Sequence, residues 1–109
     1  NKKLASMDME ERYRLIISTI LNAIGCQVEV EHMLSTGRID IVASTSRFIY
    51  VVELKLSNNG GIIAAEKQII DNGYLKPFLA DDRKVIGLAV ELDDMGKGLI
   101  DWKEVQNKQ

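Results

Sequence analysis

The spacing of apolar and polar residues changes along the chain, and each change marks an element. From Met9 to Ile24 the spacing is helical, with Glu10, Tyr13, Ile17, Ile20 and Ile24 on one side and Glu11, Arg14, Ser18 and Asn22 on the other. Asp8 followed by Glu11 forms a capping box that opens this helix, and Gly25 ends it. Gln27 to Leu34 then alternates Val28, Val30 and His32 against Glu29 and Glu31, as a half-exposed edge strand does. After the turn at Ser35, Thr36 and Gly37, a second alternating strand places Ile39, Ile41 and Ala43 on one face and Arg38, Asp40 and Val42 on the other. Ser44 to Arg47 is short and polar, as a hairpin connection should be. Phe48 to Leu56 is rich in β-branched and aromatic residues and mostly apolar on both faces, which predicts a central strand covered on both sides.

Beyond Leu56, the run Ser57, Asn58, Asn59, Gly60 and Gly61 is the strongest loop signal in the chain. A second helix is expected from Ile62 to Asn72, with Ile62, Ala65 and Ile69 as its apolar stripe and Gly73 closing it. Pro77 and the pair Asp81, Asp82 mark the next connection. Lys84 to Glu91 reads as a mostly apolar strand whose internal Gly87 indicates close packing beneath the second helix. Asp93 to Gly98 is a loop without the alternating oxygen ligands of a calcium loop. Leu99 to Val105 closes the chain as a short strand with Trp102 over the core, and the polar residues Asn1 to Ser6 are expected to fray. Helix, three strands, helix, strand and a closing segment predict an α/β sandwich around a central mixed sheet.

Chemistry enters on the third strand. Alternation puts Ile49, Val51, Glu53 and Lys55 on one face and Tyr50, Val52, Leu54 and Leu56 on the other. Leaving either charge unpaired in a core costs on the order of several kcal/mol. Alone, Glu53 and Lys55 could be an ion pair at a strand end. Asp40 on the neighbouring strand alters that reading, because antiparallel pairing on a shared face brings it near Glu53. Two carboxylates and a lysine on one sheet surface form a hard-oxygen cation site with a positive charge beside it, which suits phosphodiester hydrolysis.

These residues resemble a known family. Gly37, Arg38, Ile39 and Asp40, a hairpin, Val51 to Lys55, then Gln68-Ile69 and Gly73-Tyr74 look like the PD-(D/E)XK nuclease superfamily. More narrowly, they are similar to the bacterial domain often found behind an AAA-ATPase-like region. The resemblance runs from about Met9 to Trp102 and departs from the superfamily name at Ile39, where that name has proline. It implies a restriction-endonuclease-like α-β-β-β-α-β core and Mg2+ (or Mn2+) held by Asp40 and Glu53. Lys55 would orient the attacking water, and Glu10, three residues before Tyr13, would join as a further ligand. Gln68 would reach toward the Lys55 end. Arg38, on Asp40's face, is a candidate to touch substrate phosphate or, the favoured reading, to hold Asp40 in place. Tyr74, which matches the family's Gly-Tyr, is a candidate substrate contact read first as a packing residue. DNA is the expected partner, with an upstream ATPase-like domain in the same chain, and a homodimer is an open assembly. The rival is a catalytically silent interaction or regulatory module attached to such an ATPase.

Composition narrows the setting. A chain of 109 residues that is 46% hydrophobic and 28% charged is one globular domain with a real core. It starts at Asn1 and is read as a fragment of something longer. No apolar run approaches the length of a membrane span and no signal peptide is evident, so a cytoplasmic protein is expected. Cys26 is the only cysteine, so neither a disulfide nor a cysteine-based zinc site is available. The net charge of −2 favours the silent module, since independent nucleic-acid binders are usually basic.

Overall fold

The computed structural model describes residues 8–106, so Asn1 to Ser6, expected to fray, lie outside the described residues. Helix α1 (Met9–Ala23) is followed by β1 (Gln27–Leu34), β2 (Gly37–Ser44), β3 (Phe48–Leu56), helix α2 (Gly61–Asp71), β4 (Lys84–Leu92) and β5 (Leu99–Val105). The five strands lie in chain order in one sheet. Pairing is antiparallel except between β3 and β4, which run parallel with α2 as the crossover. Asp8 caps α1 by accepting the Glu11 N–H at 2.8 Å. Among the described residues no helix is long and apolar enough to cross a membrane.

One helix covers each face of the sheet. On the α2 side, Val42, Ile49, Val51, Ala65, Ile69 and Tyr74 belong to one buried cluster. On the α1 side, Tyr13, Ile41, Ala43, Val52 and Leu54 form the other. Strand β3 is central, as its sequence predicts, with its faces divided as the alternation requires. It pairs with β4 along its whole length, from Phe48–Lys84 to Leu56–Leu92. With β2 it pairs only from Ser44–Ile49 to Ile41–Val52. The sheet therefore opens on one side of β3 at the level of Asp40 and Glu53.

Three expectations are corrected. In β2, Ile39 leaves the face of Ile41 and Ala43 and packs with Val42 in the α2-side cluster. Regular alternation thus breaks at Asp40. Across from it, Glu31 of β1 drops out of the pairing register and adopts φ 53°, the one non-glycine positive φ among the described residues. Second, α1 is turned relative to the expected stripe. Tyr13 and Ser18 are buried, and Met9, Ile17 and Leu21 pack on the sheet. Ile20 and Ile24 are instead 55% and 72% exposed. Third, Trp102 is 57% exposed on the outer strand and does not cover the core.

Gly87 is required by close approach. A Cβ there would lie 2.7 Å from the Val105 carbonyl oxygen and 3.3 Å from Leu75 Cδ2. The crowding comes from β5 and from the segment after α2 more than from α2 itself. Gly87→Ala should therefore destabilise the domain by about 1–3 kcal/mol, read as a lower urea midpoint at unchanged slope.

Candidate active site

The centre of the site is the place where β2 and β3 part. Beyond Ile41–Val52 the next antiparallel pair in register would be Asp40 opposite Glu53. Here side chains replace the ladder: Asp40 Oδ2 accepts the Leu54 N–H at 2.9 Å, and the Asp40 N–H points to Glu53 Oε1 at 3.4 Å. Buried backbone donors need partners, and these carboxylates supply them. Both residues are nearly sealed from solvent, Asp40 at 7% and Glu53 at 2% exposure.

Burial and proximity set their electrostatics. Glu53 is pushed up to about 8, first by burial and then by repulsion from Asp40, with Lys55 partly offsetting both. Burial also raises Asp40, against the Leu54 N–H, the Arg14 charge and Lys55. Glu10 reaches the same neighbourhood from α1 and is raised by burial, with Lys55 pulling it down and Asp40 pushing it up. Lys55, the next residue on Glu53's face of β3, is half-buried and acts electrostatically on all three carboxylates.

Arg14 is the second cation of the site. Its guanidinium lies 2.8 Å from Glu31 Oε1 and 3.6 Å from Asp40 Oδ1, and Arg38 approaches Glu31 at 3.6 Å. Arg14 was expected on the outer face of α1, and Glu31 toward solvent. A signal for Arg14 existed: it lies four residues after Glu10, so the two share one helix face. Glu31 carried no comparable signal, because its displacement depends on the irregular backbone opposite Asp40.

Gln68 and Tyr74 do not meet the carboxylates directly. Gln68 Nε2 donates to the Tyr74 hydroxyl at 3.2 Å. Tyr74 is fully buried, which agrees with its reading as a packing residue and removes it from the candidate substrate contacts. Arg38, whose side chain is 53% exposed, remains at the surface beside the opening. His32 pairs with Glu29 at 2.6 Å and packs on Phe78.

A family model described as the PD-(D/E)XK nuclease superfamily matches residues 8–102. The match covers most of the chain and all the residues above. The chain belongs to the PD-(D/E)XK nuclease superfamily. Its five-stranded mixed sheet flanked by two helices is the restriction-endonuclease-like arrangement of that superfamily. No curated protein matches the chain.

In this PD-(D/E)XK domain, the donor set fits a small hard cation held by two carboxylates. Among the described residues no group of three or more Asp, Glu, His or Cys side chains is gathered around one point, and Glu10 lies within electrostatic reach of Asp40 and Lys55. Mg2+ is commonly bound by one or two carboxylates with water and substrate phosphate completing its shell, which is what Asp40 and Glu53 offer.

The raised carboxylates predict how stability varies with pH. A group that holds its proton more tightly when folded stabilises the fold fully below its ordinary value, 4.5 for Glu53. That contribution is lost as pH rises through about 8, and Asp40 and Glu10 act in the same direction. With chelator present, the melting temperature should fall across this window, and Glu53→Gln should flatten the fall. An identical pH slope in the variant would contradict the assignment.

Proposed function

We propose that this domain hydrolyses phosphodiester bonds of DNA with Mg2+ or Mn2+ as cofactor. The observation that carries the reading is the pair of buried carboxylates, Asp40 and Glu53, set in the gap between two strands with Lys55 on the same face. Keeping two acids together in a poorly hydrated gap is unfavourable unless a cation joins them. When bound, a divalent ion would supply a nucleophilic water at neutral pH and offset charge on the phosphate. Asp40 and Glu53 would hold it. Lys55 would orient the water and stabilise developing negative charge. Arg38, exposed at the rim, is suited to a phosphate contact. Glu10 would assist by shaping the field around Lys55.

The net charge of −2 supports a second reading, a silent nuclease-like module serving an upstream ATPase-like region. In the enzyme reading, the missing DNA affinity would come from the bound metal and from such a region or a second subunit, in a cytoplasmic setting. Assays with linear, circular and branched DNA separate the two. With Mg2+ or Mn2+ present, Lys55→Ala and Glu53→Ala should each lower cleavage by about 100-fold or more. Gln68→Ala should lose less, about tenfold, because it acts through Tyr74. The melting temperature of Glu53→Ala should change little, because relief of the repulsion between the two acids is offset by loss of the acceptor for the Asp40 N–H. Failure of the wild type to cut any substrate in either metal would favour the module.

A further inference from the structure

Where β2 leaves β3, its freed backbone is taken up by side chains at two levels. At the first, Asp40 and Glu53 bond the Leu54 and Asp40 amides. The second lies two residues further out. Continuing the register from Ile41–Val52 would place Arg38 opposite Lys55, but no such pair forms. Arg38 instead donates its N–H to the Tyr74 hydroxyl at 3.1 Å, and its carbonyl accepts from the same hydroxyl at 3.1 Å. One phenol oxygen thus takes the place that the backbone of Lys55 would have in a closed ladder.

Tyr74 is itself held firmly. Its ring is fully buried in the α2-side core. Its hydroxyl also accepts from Gln68 Nε2 at 3.2 Å and Asn72 Nδ2 at 3.3 Å, at the end of α2. At Arg38, beyond its ladder with β3, strand β2 is therefore held to the end of α2 and not to β3. Gly37 fits the same geometry, because a Cβ there would stand 2.6 Å from the Tyr74 hydroxyl.

We propose that Tyr74 is a positioning residue whose hydroxyl props β2 away from β3 and so sets the spacing of Asp40 and Glu53. The inference deepens the metal-dependent reading and rests on it for the role of that spacing. Without the hydroxyl, Arg38 has no bonding partner on its β3 side. Strand β2 can then shift toward Lys55, and the two carboxylates lose their fixed separation.

The test uses the 109-residue chain, with Tyr74→Phe to remove only the hydroxyl and Leu75→Ala as a control that damages the same core (Leu75 is 4% exposed) without touching it. Two readouts apply: amide exchange at Arg38, Asp40 and Leu54 in chelator, and affinity for Mn2+. Tyr74→Phe should speed exchange at all three amides by about tenfold and weaken Mn2+ binding by about tenfold. Leu75→Ala should lower the melting temperature, speed exchange at these amides no more than at β4 amides remote from the gap, and leave Mn2+ affinity within about twofold of wild type. The proposal is overturned if Tyr74→Phe speeds exchange at Arg38 alone, or lowers the melting temperature as Leu75→Ala does with Leu54 exchange and Mn2+ affinity unchanged. A wild type that binds no Mn2+ defeats the metal-dependent reading, while the exchange data still decide whether the hydroxyl props the strand.

Discussion

Buried backbone groups must find partners where two strands of a covered sheet part company, and that constraint organises this domain. Strand β3 pairs with β4 along its whole length but loses β2 beyond Val52. Exposing the unpaired edges to water would break open the core. Filling the gap with apolar side chains would leave donors unsatisfied at a cost of about 1–3 kcal/mol each. Carboxylates placed in the gap accept from the amides of Asp40 and Leu54, and a phenol satisfies Arg38. The groups that repair the fold are thereby the groups of the candidate site, and the fold accepts two raised acids as a consequence.

Much of this arrangement was legible in the sequence because it depends on local alternation. The doubly apolar run from Phe48 identified the central strand, and the polar link from Ser44 to Arg47 identified its hairpin partner. Glu53 in a run that otherwise favours Val and Leu, with Asp40 one strand away, marked the two carboxylates that the fold brings together. The helix boundaries followed from Asp8, Gly25 and Gly73. These are short-range signals, and nothing elsewhere in the fold overrides them.

The remainder was hidden for identifiable reasons. Helix α1 carries apolar residues around most of its circumference, among them Leu15, Ile16, Ile17, Ile20 and Leu21, so periodicity could not fix its rotation. The packed face is the one through Met9, Tyr13, Ile17 and Leu21, anchored by the Tyr13 hydroxyl on Asp93 and Gly98; it carries Arg14 inward to Glu31 and Asp40 and leaves Ile16 and Ile20 facing outward. Strict alternation misplaced Ile39, because the strand changes phase at Asp40, where the ladder ends. The positive φ of Glu31 has no sequence signature, since glutamate rarely adopts it. Gln68 was recognisable by its position on α2, but its partner, Tyr74, follows only after the helix end and the turn at Gly73 are known.

The central claim is that the gap between Asp40 and Glu53 receives a divalent cation, and crystals grown with Mn2+ test it most directly. Anomalous scattering should place one Mn2+ with an oxygen of Asp40 and an oxygen of Glu53 in its coordination shell, at roughly 2.0–2.3 Å. An ordered Asp40–Glu53 pair sharing a proton, with no anomalous peak between the two residues at millimolar Mn2+ and neutral pH, would contradict the account.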